Sequence, residues 1–239
     1  MTGTVYLIPV TLGGDDFLKV IPGTVLELTR KLRFFIVEDI RSARRYLRLI
    51  DRNFPIDGTV FYELSEHTPD EETEHYLDPA INGSDIGLMS EAGLPGIADP
   101  GAKIISLAHK KNITVTPLAG PSSIILALIS SGLNGQNFSF NGYLPVESAK
   151  RTARIKELER ISRGGYAQVF METPYRSQKV LETILAVCNE NTKLCIAADI
   201  TLRDELIKTK TVSEWKKDVP DLKDRLVVFV LQQSYLPGP

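Results

Sequence analysis

Short runs of β-branched and aromatic residues alternate with helix-like stretches along the first half of the chain. "TVYLI", "FFIV", "TVFYEL", "DIGLM" and "ITVTP" each have the length and composition of a strand. Between them lie segments in which apolar residues recur every three or four positions. In "RSARRYLRLI", Ala43, Tyr46, Leu47 and Ile50 fall on one stripe and the arginines on the other side. "TPDEETEHYLDPAING" reads as one helix capped at Thr68, with Pro69 and an acidic first turn behind it. This alternation predicts an α/β fold with a parallel sheet and helices on both faces.

The pattern changes in the second half. "SSIILALISSG", "AKRTARIKELERIS" and "SQKVLETILAVCNE" read as helices, the second of them amphipathic and basic. "FSFNGYLP", "AQVFMETPYR", "KLCIAADIT" and "RLVVFVLQ" read as strands, and "ELIKTKTVSEWKK" as a strand followed by a helix. The boundary is expected near Leu118 to Gly120, which gives domains of residues 1–118 and 119–239.

Parallel sheets bind ligands beyond the carboxyl ends of their strands. The loops rich in glycine, proline or charge all follow strands: Pro9 to Asp16, Glu38 to Arg41, Ser90 to Gly101 and Ala119 to Ser123. They are expected to converge on one edge. The third, "SEAGLPGIADPG", combines glycines that permit positive φ with prolines that fix it, so it is either a demanding turn or a ligand cradle.

Composition narrows the class. The formal net charge of −2 does not suit a general nucleic-acid binder. Charge is uneven, however: from Arg30 to Arg52 eight Lys/Arg face three Asp/Glu, and from Lys150 to Arg163 six face two. These are either solvated helix faces or phosphate-contacting patches. Cys188 and Cys195 have no histidine at metal-ligand spacing, which predicts buried free thiols, no metal site and a reducing compartment. "MTGTVYLIPV" has no basic region or cleavage site of a signal peptide, and no apolar run approaches ~18 residues. A cytoplasmic protein without membrane contact is expected.

Familiar fingerprints are missing. No G-x-G-x-x-G follows the first strand, and no P-loop or nucleophile elbow occurs. His67, His75 and His109 are scattered. A cleft built from backbone loops suits a reaction whose chemistry resides in a cofactor.

"GTVYLIPVTLGG", "VEDIRSARRYL", "SEAGLPGIADPG", "PLAGPSS", "FNGYLP" and "METPYR" resemble, in order and spacing, motifs of the tetrapyrrole-methylase-like, class III S-adenosylmethionine methyltransferases. Within that superfamily the chain is most similar to the ribosomal RNA small-subunit methyltransferase I group, over residues 3 to about 232. The resemblance implies two αβα domains, the N-terminal sheet mostly parallel and the C-terminal one mixed, with S-adenosylmethionine in the cleft between them, and a homodimer. Carried over by position, the cofactor pocket is expected to use Pro9, Leu12, Glu91, Gly93, Leu94, Ser122 and Ser123, with Met171 and Ala198 from the second domain. The group's reaction is 2′-O-methylation of a cytidine ribose in small-subunit RNA. In such a transfer a hydroxyl oxygen attacks the methyl carbon in line, and orientation supplies much of the rate. Glu38 and Asp39 are the candidates for accepting the proton. Arg41, Arg44, Tyr175 and Arg176 are expected at the substrate, with Arg45 in the same basic run as a further phosphate contact.

The chain departs from the group in its loops. The usual S-D-A-G-T-P reads "SEAGLP", so Glu91 replaces Asp and Leu94 replaces Thr. Y-E-S-x-H-R reads "METPYR", and the late K-G-E reads "LKDRLVV". These differences leave two alternatives: another acceptor, such as a tetrapyrrole or a different RNA site, or a homologue that binds the cofactor without turnover. A tetrapyrrole fits less well, because precorrin enzymes usually carry G-G-D-P where this chain has "SEAG".

Overall fold

The computed structural model describes residues 2–233. The chain divides into two compact units, one running to Ser122 and the other beginning at Ser123.

The first unit alternates strands and helices: β1 (Thr4–Ile8), α1 (Gly23–Lys31), β2 (Phe34–Val37), α2 (Ile40–Ile50), β3 (Val60–Glu63), α3 (Asp70–His75), α4 (Asp78–Ile81), β4 (Ile86–Met89), α5 (Gly101–Lys110) and β5 (Thr114–Pro117). The sheet order is β3-β2-β4-β1-β5, and every pairing is parallel. Side chains leave a strand alternately to its two faces, and two separate cores result. Ile8, Phe35, Val37 and Met89 pack against Val25 and Leu26 of α1 and Ala43, Tyr46, Leu47 and Ile50 of α2. Val5, Ile36, Ile86 and Leu88 pack against Tyr76, Leu77, Ala80, Ile104 and Ala108 from the helices of the opposite face. The stripe expected on α2 is therefore the buried one.

One expectation for this unit is corrected. Residues 68–83 form two short helices instead of one, and Thr68 caps neither. Pro69 occupies the N-cap of α3 and offers no side-chain acceptor. Thr68 Oγ1 instead accepts from the Ser65 N–H at 2.9 Å. Pro79 then starts a new helix at its first turn, where a missing N–H is harmless.

The second unit comprises α6 (Ser123–Ser131), β6 (Phe138–Tyr143), α7 (Ser148–Ser162), β7 (Ala167–Glu172), α8 (Ser177–Val187), β8 (Lys193–Ala198), β9 (Leu206–Thr211), α9 (Val212–Lys217) and β10 (Val227–Gln232). Its sheet has the order β6-β7-β10-β8-β9. It is mixed: β6 and β7 are parallel, and the other pairs are antiparallel. One face packs Phe170, Ile196 and Phe229 against α7, α8 and α9 residues including Leu158, Ile184 and Trp215. Helix α7 is less cleanly amphipathic than its sequence suggests. Arg151 is buried and donates to the Val146 carbonyl at 2.9 Å. Glu159 is buried and accepts from Asn189 N–H at 2.7 Å and the Thr192 hydroxyl at 2.5 Å. Cys188 and Cys195 are buried free thiols.

Candidate active site

All five strands of the first sheet run the same way, so the segments after β1, β2, β4 and β5 leave one edge. β1 and β4 are neighbours, yet α1 follows β1 onto one face and α5 follows β4 onto the other. The chain parts at that point, which is where a parallel sheet opens a ligand crevice.

Three of the loops close on one another there. The Val10 N–H donates to the Gly93 carbonyl at 2.9 Å, and the two residues form an isolated antiparallel bridge. Gly93 has φ +73; a Cβ on it would come within 3.2 Å of Leu12 Cδ2 and 3.4 Å of the Pro121 carbonyl oxygen. Pro9 is buried beneath, and its carbonyl accepts from Tyr46 Oη at 3.2 Å. The loop after β4 keeps a fixed shape because Asp99 accepts from the Gly96 N–H at 2.9 Å and from the Gly101 N–H at 2.7 Å. Burial raises the Asp99 pKa, and those two N–H groups oppose the shift. Gly96 (φ +86) and Ala98 (φ +59) also take left-handed conformations. The segment from Ser90 to Gly101 is thus both a demanding turn and a wall of the crevice.

The end of β2 grips the same loop. Glu38 Oε2 accepts from the Glu91 N–H at 3.2 Å. The pKa of Glu38 is raised, first by burial; the Glu91 N–H lowers it, and nearby Asp99, Glu91 and Glu66 raise it further. Asp39 is the N-cap of α2, its Oδ1 accepting from the Ser42 N–H at 2.6 Å. That hydrogen bond is the main cause of its lowered pKa. The Ser42 hydroxyl lies 3.4 Å from Glu91 Oε1. Glu38, Asp39 and Glu91 are therefore brought together, with Asp39 committed to the helix and Glu38 to the loop.

The remaining expected residues fall in several places. Leu94 is half-buried, Ser122 buried, and Ser123 opens α6. In the second unit Ala198 is fully buried in the core under α7, α8 and α9. Met171 pairs with Val228, which pairs in turn with Ala197; that row is one register position away from Ala198, so Met171 faces the other side of the sheet. Tyr175 is 90 % exposed. Arg176 is tied into the fold: it donates to the Leu144 carbonyl at 2.7 Å, and its Nη2 lies 2.9 Å from the fully buried Glu172 Oε2, without hydrogen-bond geometry. The Arg44 guanidinium sits over the Phe61 ring at 5.3 Å. Arg41 and Arg45 are exposed, and among the described residues no side-chain hydrogen bond or ion pair engages them.

A groove of about 400 Å³ runs beside the crevice, between Val10 to Asp15 after β1, α2, and Met89 to Glu91. Ser42 and Arg45 line it. Ser42 carries no motif of its own, and its place is legible only from its position three residues before Arg45 on α2. The three histidines are exposed, and among the described residues no group of His, Cys, Asp or Glu could hold a metal.

The late departure in the second unit has a local account. In "LKDR", Asp224 takes φ +59, the conformation a glycine adopts without strain. Arg225 Nε donates to Asp199 Oδ2 at 2.6 Å, and the Leu226 N–H donates to Asp199 Oδ1 at 3.1 Å. A charge pair thus holds the end of β8 to the start of β10.

The family model for Tetrapyrrole (Corrin/Porphyrin) Methylases matches residues 27–216. A protein of Escherichia coli O157:H7 named "Ribosomal RNA small subunit methyltransferase I" is 31% identical over 99% of this chain and 82% of its own length. The chain belongs to the tetrapyrrole methylase family. Proteins of the same name from Vibrio cholerae serotype O1 and Haemophilus influenzae are each 30% identical, over 87% and 96% of this chain and 69% and 79% of their own lengths. The crystal structure of the methyltransferase CobJ superposes with a TM-score of 0.63 at 17% identity, covering 98% of this chain and 94% of that one, and shares the fold. As a tetrapyrrole methylase the protein is an enzyme, a methyltransferase that uses S-adenosylmethionine.

The residues at the crevice fit that cofactor. Around Gly93 the loops leave space that even one methyl group would fill. The donor set suits a sulfonium or an ammonium, since the Glu91 carboxylate stands exposed at the edge of the same loops.

Proposed function

We propose that this methyltransferase acts on RNA of the small ribosomal subunit, transferring a methyl group to a ribose 2′-hydroxyl. The observation that carries this reading is the placement of α2. Its cap, Asp39, lies at the crevice, and its buried stripe turns Arg41 and Arg45 outward, with Arg45 lining the groove. An enzyme with net charge −2 thereby presents cations where a polyanionic acceptor would enter. The names of the relatives point the same way, and the "SEAG" loop does not favour a tetrapyrrole.

When bound, S-adenosylmethionine supplies an activated methyl group on its sulfonium. Pro9, Leu12, Gly93 and Ser122 would hold it. Leu94 would exclude water, since it has no hydroxyl to offer. Glu91 would meet a positive group. Glu38 is the residue that would take the hydroxyl proton: among the described residues its Oε1 accepts no hydrogen bond, and burial favours its protonated form. Asp39 is spent on its cap.

This reading carries a cytoplasmic location, where small-subunit RNA is found, and a homodimer as in the group it resembles. Among the described residues no helix is long and apolar enough to cross a membrane. Mass mapping of ribose methylation in small-subunit RNA from cells with and without the protein tests the proposal. A single methylated ribose that disappears with the protein is expected; an unchanged map overturns it.

A further inference from the structure

The geometry points to the groove along α2 as the seat of one nucleotide of the acceptor, with Arg45 holding a phosphate and the Ser42–Glu91 end facing the ribose. This rests on the reading of the acceptor as RNA and adds where one nucleotide sits.

The groove's volume of about 400 Å³ lies within the usual range for a small-molecule site, roughly 300–1,000 Å³. Its long wall is one stripe of α2. Ser42, Arg45 and Leu49 are spaced by three and four residues and all line it. At about 1.5 Å of rise per residue, each step along that stripe moves roughly one helical turn away from the crevice. Chemistry changes along it in the same order. Nearest the crevice, the Ser42 hydroxyl and Glu91 carboxylate stand 3.4 Å apart, polar groups suited to ribose hydroxyls. One turn on comes the Arg45 guanidinium, and then the aliphatic Leu49.

Among the described residues Arg45 is the only cation lining the groove. Two acids, Asp15 and Glu91, line it too, and among the described residues neither forms an ion pair with Arg45. The other arginines of α2 are placed differently. Arg44 covers Phe61. Arg48 donates to the Arg52 carbonyl at 2.6 Å and does not line the groove. A guanidinium left without a partner in a polar groove matches a phosphate in charge and fork geometry.

The experiment compares Arg45→Ala, Arg45→Lys and Arg48→Ala in the full-length protein, with small-subunit RNA as ligand. Each alanine variant removes one exposed charge from the same helix, so a diffuse field predicts equal effects. The groove assignment predicts that Arg45→Ala weakens RNA binding about tenfold or more, the scale of one charge-assisted hydrogen bond. The slope of log affinity against log salt should fall by about one. KM for RNA should rise with kcat little changed, Arg45→Lys should recover part of the loss, and S-adenosylmethionine affinity should be untouched. Equal losses in Arg45→Ala and Arg48→Ala overturn the assignment while leaving the RNA reading intact. Absence of RNA affinity in the unsubstituted protein overturns both, and is visible before any variant is made.

Discussion

Glu38 Oε2 receives the backbone N–H of Glu91 across 3.2 Å, so a side chain at the end of β2 fixes the first peptides of the loop that follows β4. The two strands are hydrogen-bonded neighbours in the sheet, and this contact extends their registration beyond its edge. It places a half-buried carboxylate where the crevice opens, with Glu91, Asp99 and Glu66 close enough to raise its pKa further.

That contact predicts a pH effect of definite sign. Glu38 titrates above its ordinary 4.5 in the folded protein. Between 4.5 and the raised native value the folded state holds more proton than the unfolded one, so stability falls as pH rises through that window. Glu38→Gln should flatten the fall in melting temperature from the ordinary carboxylate range towards neutrality. Its amide oxygen can still accept from Glu91, so S-adenosylmethionine affinity should persist. Glu38→Ala should flatten the same profile and lose affinity. Thermal melts across pH, paired with calorimetry, check both; a Gln variant with the original pH profile would remove Glu38 from the account.

Asp39 carries the opposite sign. Its pKa lies below 3.8, chiefly because the Ser42 N–H binds the charged form. The stability it contributes is complete above 3.8 and is lost as pH falls through the native value. Asp39→Ala should cost about 1 kcal/mol, the usual worth of an N-cap. Asp39→Asn keeps an acceptor and should cost less, while losing that acid-limb dependence. Denaturant midpoints at neutral and acid pH measure both effects.

Much of this arrangement could be read before the structure. Strands β1 to β5 announce themselves because they are short, apolar and punctuated by helices whose stripes match, as Ala43, Tyr46, Leu47 and Ile50 do. The crevice follows from parallel order alone, since it gathers the loops of Pro9, Glu38 and Glu91. The helix break at Tyr76 and Leu77 was less legible, because the acidic first turn and the proline suit one long helix as well as two short ones. Roles were less legible still. Asp39 and Glu38 are adjacent carboxylates, and only their partners distinguish a helix cap from a loop clasp. Arg176 looks available in "METPYR", yet Glu172 of the same run turns inward beside it and the Leu144 carbonyl engages it from a distant segment.

The residue at 224 offers a stabilising change. Asp224 is exposed and adopts φ +59 beside the Asp199–Arg225 pair. Aspartate tolerates that region better than most side chains, but glycine enters it without the Cβ clash. Asp224→Gly should raise stability by about 0.5–1 kcal/mol, with Arg225 still paired. A shift of the urea midpoint to higher concentration, at unchanged slope, is the expected result. A lower midpoint would mean that the aspartate contributes something its backbone does not reveal.

Two glycines separate backbone strain from cofactor space. Gly93 and Gly132 have nearly the same φ, +73 and +68. Around a Cβ at Gly132 there is nothing within 4 Å, whereas at Gly93 it would meet Leu12 Cδ2 at 3.2 Å and the Pro121 carbonyl at 3.4 Å. Forcing an L side chain into this region costs about 1–2 kcal/mol at either site. Gly132→Ala and Gly93→Ala should therefore lose stability by similar amounts in urea, Gly93 somewhat more because its neighbours must also give way. Their behaviour toward S-adenosylmethionine should differ. Gly132 lies in the second unit, after α6, and its variant should bind the cofactor normally. Gly93 sits where the loops after β1, β4 and β5 converge, and its variant should lose binding by an order of magnitude or more, since one added methyl displaces Leu12 or the Pro121 peptide. Because strain is matched, the ratio of the two affinities isolates the effect of shape. If both variants bind alike, Gly93 serves the turn alone and the cofactor does not rest against it.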